Sequence, residues 1–299
     1  MNPEVTMEAR AGTALMIRPV SAPLLGYRHF VDLCRSGARL ALRRRRDPAR
    51  VAEEYERGVW GALLADRRWE RAADLTDFLL GRDNGLRLCK VGGRAVLVPQ
   101  REYYRVRMQA LTALMRGCAG EADPLIEFGC GAGYNLLTLA TTGHWRTLVG
   151  FDISPNAVSV ARQVAAHFGL AGLRFDVSDV TLPGHPAFAC ATGRTVFTYL
   201  CLEQVPRAVP QAIESLLAAR PRRVIHIESA AELLDLRRPA DWSNYLYVRS
   251  VDYQRCLRAT LRTLAGQGRV RIVEERRLDW APTLHNDTSL TVWEPTERM

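Results

Sequence analysis

Lysine is almost absent from this chain, because only Lys90 among its 41 basic residues is a lysine. The arginines are spread along the whole sequence, with a single run at residues 43–46. A net charge of +9 is compatible with an anionic partner, but this spread favours a solvated arginine-rich surface. Binding to nucleic acid is therefore not favoured.

Other absences exclude further classes of protein. No apolar run approaches the roughly 18 residues that a membrane span requires, so no membrane partner is predicted. Glu4 and Glu8 stand where a signal peptide has cations, which predicts a cytoplasmic protein. The seven cysteines are odd in number and none has CxxC spacing, so neither a disulfide framework nor a metal site is predicted.

The first 120 residues have a mainly helical pattern. Helices are predicted at about residues 48–66, 68–80 and 101–116; in the first, apolar residues recur every fourth position from Val51 to Leu63. Two short apolar segments around Gly92 and Gly93 predict a β-hairpin. We therefore expect residues 1–120 to form an N-terminal extension that caps the substrate, and residues 121–299 to form the core domain.

The core domain alternates strands with helices, which predicts a doubly wound α/β fold. Seven strands are recognisable, and those separated by helices are expected to run parallel. The last two strands, RVRIVEERRLDW and TSLTVWEP, are joined by too short a loop for a crossover helix. The sheet is therefore predicted to be mostly parallel with an antiparallel C-terminal hairpin strand. Residues 239–253 interrupt the rhythm, and we expect an aromatic insertion there that walls a substrate pocket or packs as a surface loop.

A glycine-rich turn follows the first core strand, in LIEFGCGAG at residues 125–133. Glu127 lies two residues before Gly129, and Gly131 follows at GxG spacing; glycine lets a ligand approach the backbone closely. Asp152 ends the next strand, about twenty residues further on, where a carboxylate can accept the hydroxyl hydrogens of a ribose. Asp179 ends the third strand and can accept from an adenine amino group.

A nicotinamide dinucleotide site is the alternative for such a turn. Tyr134 stands where the third dinucleotide glycine would be, and Glu127 is acidic where dinucleotide-binding strands are apolar. These departures make an oxidoreductase the weaker hypothesis.

The three features together resemble the class I S-adenosylmethionine-dependent methyltransferase family over about residues 121–299. The resemblance implies S-adenosylmethionine as cofactor and an α/β Rossmann-like fold. Members of the family often place an aromatic residue on the preceding helix against the cofactor carboxylate, so Tyr104 or its neighbour Tyr103 is a candidate for that contact, with core packing as the alternative. Tyr199 is a candidate because it lies at the end of the fourth core strand. The residues that we expect to bind the cofactor are Tyr104, Glu127, Gly129, Gly131, Asp152, Ile153, Asp179, Val180 and Tyr199. CLEQVP at residues 201–206 resembles a family segment in which histidine is frequent at the position of Gln204.

Catalytic candidates are expected at the carboxyl ends of the later core strands and in the loops that follow. His285 is the first candidate for a general base, because histidine titrates near neutral pH. Glu203, Glu228 and His226 are the others, and for His226 a hydrogen-bonded core position is favoured over a catalytic one. If Glu203 and Glu228 gather with Asp241 and Asp287, a cationic amine acceptor is expected. A histidine base in an apolar pocket would instead indicate a hydroxyl or carboxyl acceptor.

The large N-terminal extension predicts an enclosed pocket for a small-molecule acceptor, in keeping with specialised natural-product metabolism. Two alternatives stay open: methylation of a peptide or protein side chain, which needs an open cleft, and a non-catalytic scaffold that binds S-adenosylmethionine. The sequence leaves N- and O-methylation undecided, and a homo-oligomer is compatible with it.

Overall fold

The computed structural model describes residues 18–42, 45–82, 85–120 and 124–296. The expectations that concern Glu4, Glu8 and the first half of the arginine run lie outside these residues. Before the core domain the elements are β1 (Arg18–Pro19), α1 (Ala22–Ala41), α2 (Pro48–Glu53), a π-helical stretch (Glu54–Trp60), α3 (Gly61–Asp66), a 3₁₀ turn (Arg68–Arg71), α4 (Leu75–Leu80), β2 (Leu86–Val91), β3 (Arg94–Pro99) and α5 (Gln100–Ala119).

The core domain continues the alternation that the sequence predicts. Its longer elements are β4 (Leu125–Phe128), α6 (Tyr134–Ala140), β5 (Leu148–Asp152), α7 (Pro155–His167), β6 (Leu173–Val177), β7 (Thr195–Tyr199), α8 (Val209–Ala218), β8 (Arg223–Ser229), α9 (Pro239–Ser250), α10 (Leu257–Gly266), β9 (Val270–Arg277) and β10 (Thr288–Pro295). Short 3₁₀ turns lie at Pro186–Ala191, Leu202–Gln204 and Ala231–Leu233.

Seven strands form one sheet in the order β6-β5-β4-β7-β8-β10-β9. The pairs from β6 to β8 are parallel, and β10 pairs antiparallel with both β8 and β9. The predicted doubly wound, mostly parallel sheet with an antiparallel C-terminal strand is therefore confirmed. Because β4 is central, the carboxyl ends of β4, β5, β6 and β7 meet at one edge of the sheet.

Both faces of the central strands β4 and β7 are buried, which is why these strands are mainly apolar. Leu125 of β4 and Phe197 of β7 belong to the core cluster that contains residues of α5, α6 and α7. Ile126 and Val196, one position along, belong to the cluster on the other face with α8 and α10.

The predicted helix at residues 48–66 contains a π-helical stretch. The N–H of Gly61 bonds to the carbonyl of Glu56, five residues back, which inserts one extra residue into the helix. The apolar face therefore shifts by one position, so that Trp60 packs in the core while Val59 is 46% exposed. We call residues 48–66 the cover segment.

The hairpin of β2 and β3 is present as predicted, and β1 extends it to a three-stranded sheet. This sheet contacts the core domain where Lys90 pairs with Ala281 and where the N–H of Gly93 bonds to the carbonyl of Asp279 at 2.7 Å. Residues 239–250, expected as a loop insertion, instead form α9, which packs against α1. Within the residues that the structure describes, no helix is both long and apolar enough to cross a membrane.

Candidate active site

A cavity of about 400 Å³ opens at the carboxyl ends of β4 to β7. In open α/β sheets ligands bind at this edge, outside the strand ends. The cover segment and α5 close the cavity from above. Of the residues that the sequence assigns to a cofactor, seven line this cavity: Gly129, Gly131, Asp152, Ile153, Asp179, Val180 and Tyr199. We call it the cofactor cavity after this expectation.

The glycines of the turn after β4 allow two close approaches. Gly129 has φ +74°, and a Cβ there would lie 2.1 Å from the Sγ of Cys201. Gly131 has φ +53°, and a Cβ there would lie 2.9 Å from the indole of Trp60. Both positions combine a left-handed backbone with a neighbour that leaves no space, so only glycine fits.

Asp152, at the end of β5, is held in a fixed orientation. One carboxylate oxygen accepts from the N–H of Gly131 at 2.7 Å, and the other accepts from the N–H of Ser154 at 2.9 Å. Burial raises the pKa of Asp152, and these two backbone hydrogen bonds oppose the rise. Each oxygen keeps further acceptor capacity toward the cavity.

Asp179 and Val180 lie after β6, on the neighbouring side of the cavity. One oxygen of Asp179 accepts from both the N–H and the hydroxyl of Thr181, at 2.8 and 2.7 Å. The side chain of Ile153 also lines the cavity and is 51% exposed. Apolar walls next to a carboxylate suit a planar base with an exocyclic amine.

The floor behind the glycine turn carries a charged network. Glu127 is fully buried; one of its oxygens accepts from the Nδ2 of Asn135 at 2.6 Å, and the other has no partner among the described residues. The guanidinium of Arg107 on α5 donates to the Oδ1 of the same Asn135 and to the hydroxyl of Tyr199, the latter at 3.1 Å. Burial raises the pKa of Glu127 to about 8, against the opposing effects of Asn135 and Arg107.

The chain turns sharply after β7. Leu200, which lines the cavity, has φ +50°, a conformation that costs about 1 kcal/mol or more in a residue other than glycine. Tyr199 stacks on Trp280 at 5.9 Å between ring centroids, and the guanidinium of Arg107 lies over the Tyr199 ring, 4.8 Å from its centroid. Strained backbone at a cavity wall is typical of functional sites.

The cover segment is anchored to the core domain by Glu56. Its carboxylate accepts from the N–H of Asn156 at 3.2 Å and from the hydroxyl of Ser154, at the N-terminus of α7. A carboxylate is favoured at that end of a helix dipole. This contact holds Tyr55 and Trp60 over the cavity.

Tyr104 does not reach the cofactor cavity. It lines a neighbouring cavity of about 570 Å³ between α4, α5 and α6, while Tyr103 is buried against the β2–β3 hairpin. The helix presents Arg107 to the cofactor cavity instead. At this cavity α5 therefore contributes a cation, and the aromatic contact between this helix and a cofactor stays a prediction.

Glu203 lies just behind the cavity wall. Its oxygens accept from the Nε2 of Gln204, which lines the cavity, at 3.1 Å and from the Nδ2 of Asn286 at 3.3 Å. Burial and the neighbouring carboxylate of Glu228 raise the pKa of Glu203 to about 8. The guanidinium of Arg46 also donates to Gln204, so Gln204 connects a cation to this buried acid.

Glu228 and His226 do not line the cavity, and both form hydrogen bonds within the core. Glu228 accepts from the N–H groups of residues 201, 202 and 203 at 3.1–3.2 Å and from the hydroxyl of Thr198, so it orders the loop after β7. His226 contacts the hydroxyl of Thr198 at 2.9 Å and accepts from the indole of Trp293 at 2.9 Å. Burial lowers the pKa of His226 to about 3, which leaves it neutral.

His285 lies in a second, separate cavity. This cavity, of about 280 Å³, lies between α1, β2, α9 and the loop before β10. His285 is 4% exposed, and its Nε2 is 3.2 Å from the carboxylate of Asp32. Burial, with His29 and Lys90 nearby, lowers its pKa to about 4.

The four acids expected at the mouth do not gather there. Asp287 binds Lys90 at 2.6 Å, and it also binds Arg277, which binds Asp241 at 2.7 Å. The oxygens of Glu228 accept from backbone N–H groups, which leaves Glu203 as the one acid of the four beside the cavity. The expectation of a cationic amine acceptor therefore loses its basis.

Sequence reasoning missed Arg107, Tyr55, Trp60 and Asn135 as cavity residues. For Arg107 a signal existed, since it falls four residues from both Tyr103 and Leu111, which are buried on the same face of α5. Trp60 could not be predicted, because the π-helical stretch breaks the four-residue spacing of apolar positions that runs through Val59.

Comparisons with known proteins agree with this geometry. Residues 120–214 match the family model described as a methyltransferase domain. The 2-heptyl-1-hydroxyquinolin-4(1H)-one methyltransferase of Mycobacteroides abscessus is 40% identical over 57 residues, which is 19% of this chain and 24% of that protein. The chain thus matches about a quarter of the length of that relative.

Two solved structures cover most of the chain. The [4+2]-cyclase SpnF has a TM-score of 0.52 at 13% identity, covering 84% of this chain and 97% of that one. A magnesium protoporphyrin IX methyltransferase from Synechocystis PCC 6803 has a TM-score of 0.49 at 15% identity, covering 83% and 99%. At this identity the likeness to SpnF shows a shared fold.

Proposed function

We propose that the protein transfers a methyl group from S-adenosylmethionine to a small-molecule acceptor, because residues 120–214 match the methyltransferase-domain family model and the sequence motif predicts the same activity. The observation that carries this proposal is the arrangement of acids around the cofactor cavity. Asp152 and Asp179 follow adjacent strands and line the cavity, whereas Arg107 and Asn135 line its central end, with the buried Glu127 behind Asn135. A nucleoside joined to an amino acid requires this order of groups.

The adenosine half fits the β5 and β6 side. Asp152 would accept from the ribose hydroxyls, because its orientation is fixed by two backbone N–H groups. Asp179 would accept from the adenine amine, with Ile153 and Val180 as apolar walls. Each group is one that the sequence resemblance assigns to the cofactor.

The amino-acid half fits the β4 side. Glu127 has a buried oxygen without a partner, which suits the ammonium of a methionine group. Arg107 suits its carboxylate, since a guanidinium forms strong hydrogen bonds with carboxylates. Asn135 bridges Glu127 and Arg107, which fixes the two charges relative to each other.

When bound, S-adenosylmethionine supplies a methyl group that is already activated by its positive sulfur. The protein has to align the acceptor, exclude water and remove the acceptor proton where one must leave. The cover segment excludes water through Tyr55 and Trp60. Glu203 is our candidate for proton removal, because its pKa of about 8 lies near the operating pH of a general base.

A covered cavity favours a small acceptor over a peptide or protein, which would need an open cleft. The N-terminal segment, residues 18–120, supplies the cover and would act as the substrate cap. The quinolone methyltransferase matched over 57 residues acts, by its name, on a heteroaromatic compound. This supports an oxygen or nitrogen acceptor of the specialised-metabolite type.

Transfer of labelled methyl from S-adenosylmethionine to 2-heptyl-1-hydroxyquinolin-4(1H)-one and to a panel of phenols and carboxylic acids tests the proposal. We expect turnover of at least one compound that rises with pH through about 8 and is lost in Glu203→Gln. Glu54→Gln, an exposed acid of the cover segment, is the matched control and should keep full turnover. Cofactor binding without transfer to any compound would instead favour the non-catalytic scaffold.

A further inference from the structure

We propose that the second cavity, which contains His285, holds a carboxylate or phosphate group of the methyl acceptor. This inference rests on the proposed function and specifies its substrate class. Its walls are polar and cationic, with α1 on one side and α9 and the loop at residues 283–285 on the other. Neither the sequence resemblance nor the family model assigns a ligand to this cavity.

The charge of the cavity comes from one face of α1. Arg35 and Arg39 follow Arg28 by seven and eleven residues, which places each of them within about 20° of Arg28 around the helix. Asp32 is the only acid among the lining residues, and it already contacts Arg35 at 3.6 Å and His285 at 3.2 Å. Arg28 and Arg39 form no ion pair within the described residues, so the cavity has an excess of positive charge.

His285 gives the cavity a buried polar wall. Only 4% of its surface is exposed, and its Nδ1 has no hydrogen-bond partner among the residues described. The ring centroids of His29 and His285 lie 4.9 Å apart, and the charge of Lys90 on β2 contributes to lowering the pKa of both histidines. An oxyanion in the cavity would supply the missing partner, and its negative charge would offset the cations that surround this ring.

The two cavities share no lining residue among those that the structure describes, but hydrogen bonds through the buried Glu203 link their walls. Tyr247 lines the second cavity, and Glu203 lies close enough to raise its pKa. Asn286, next to His285 in the chain, donates to one oxygen of Glu203, and Gln204 of the cofactor cavity donates to the other. An acceptor held by its anionic group at α1 would therefore extend toward Glu203, where a proton can be removed.

The neighbouring carboxylates do not oppose an anion there. Asp287 is bound by Lys90 and Arg277, and Asp241 is bound by Arg277. Since these acids are neutralised, Asp32 is left as the single negative charge that an anionic acceptor would meet. A cationic acceptor would face the three arginines instead.

NMR of the full-length protein with ¹³C-labelled histidine tests the site, using benzoate, phenyl phosphate and neutral benzamide as probes. The signals of His285 and His29 are assigned with His285→Asn and His29→Asn variants. We expect saturable shifts of both signals with the two anions, a higher pH midpoint of His285 in their presence, and no shift with benzamide. If only one anion acts, that result selects carboxylate or phosphate as the group recognised.

The double variant Arg28→Gln/Arg39→Gln should weaken binding of the anion about tenfold, since each exposed arginine contributes modestly. Arg116→Gln, an exposed arginine on α5, is the matched control and should change nothing. Equal binding of benzamide and benzoate, or unchanged anion affinity in the double variant, would overturn the inference. Titration of the wild-type protein with S-adenosylhomocysteine separates the two proposals. If S-adenosylhomocysteine does not bind, the proposed function is overturned. If it binds but the histidine signals do not respond to the anions, only this inference is overturned.

Discussion

The proposed role of Arg107, binding the carboxylate of S-adenosylmethionine, can be measured directly. It is partly buried on α5 and donates to Tyr199 and Asn135, beside the buried Glu127. A hydrogen bond from such a cation to a carboxylate contributes about 1.5–3 kcal/mol, which corresponds to about a 10- to 150-fold change in affinity. The wild-type protein should therefore bind S-adenosylmethionine 10- to 150-fold more tightly than its decarboxylated analogue, to the same approximation.

The Arg107→Gln variant should lose most of this preference while it still binds both compounds. Calorimetric titration of each compound into each protein gives the ratio of dissociation constants, and Arg105→Gln on the same helix is the matched control. Removing Arg107 also leaves Tyr199 and Asn135 without a donor, so a thermal melt must show that the variant is folded at the titration temperature. A ratio that stays at the wild-type value in Arg107→Gln would refute the role of Arg107 as the carboxylate partner.

Three further predictions follow from the buried groups. Glu127, with a pKa of about 8, is mostly protonated at pH 7 without cofactor, and a bound ammonium lowers that pKa. Cofactor binding at pH 7 should therefore release a proton, so that affinity rises with pH up to about 8, above which the free amino group, with an ordinary pKa of about 7.7–8.0, loses its own proton and opposes the rise. Calorimetry in phosphate and Tris buffers measures this proton, which Glu127→Gln should abolish. His226→Asn should lower the melting temperature by several degrees, because a buried hydrogen bond costs about 1–3 kcal/mol, but it should leave the pH profile of turnover unchanged; a displaced profile would restore His226 as a catalytic candidate. Gly131→Ala should weaken cofactor binding, since its Cβ would lie 2.9 Å from Trp60 on a left-handed backbone, whereas Gly143→Ala has the backbone strain without the contact and should keep the affinity.

The sheet could be predicted from the sequence because its signals are local. β4 and β5 are short apolar runs that end at a glycine turn and at an acid, and β4, β5, β7 and β8 are each followed by a helix. The positions of Asp152 and Asp179 follow from the same rule, since carboxyl ends of parallel strands meet at one edge. The short last connection alone requires β10 to run antiparallel.

The helices that close the site were harder to predict. Among the described side chains of α9 five are buried, and only Val248 of these is apolar, so the apolar period is not visible. The polar ones are Asp241, Ser243, Asn244 and Ser250. Pro239 at the start of this helix was the available signal. In the cover segment, one extra residue in the π-helical stretch moved the buried face from Val59 to Trp60.

The catalytic candidates depended on tertiary structure. His285 and Glu203 are neighbours of two different cavities, which their positions in the sequence do not reveal. His226 and Glu228 lie on a strand whose residues are buried on both faces, so both side chains bond within the core. A titratable side chain at a strand end was therefore enough to select these residues as candidates. It was not enough to show which of them face a cavity and which form hydrogen bonds within the core.

The central claim is that the cavity at the ends of β4 to β7 binds S-adenosylmethionine. Titration of the full-length protein with S-adenosylmethionine, S-adenosylhomocysteine and NAD by calorimetry tests it directly, alongside Asp152→Ala. We predict micromolar binding of both sulfur nucleotides, a loss of about a hundredfold in the variant because two charge-assisted hydrogen bonds are removed, and no binding of NAD. Binding of NAD alone, or equal binding of S-adenosylhomocysteine by both proteins, would contradict the account.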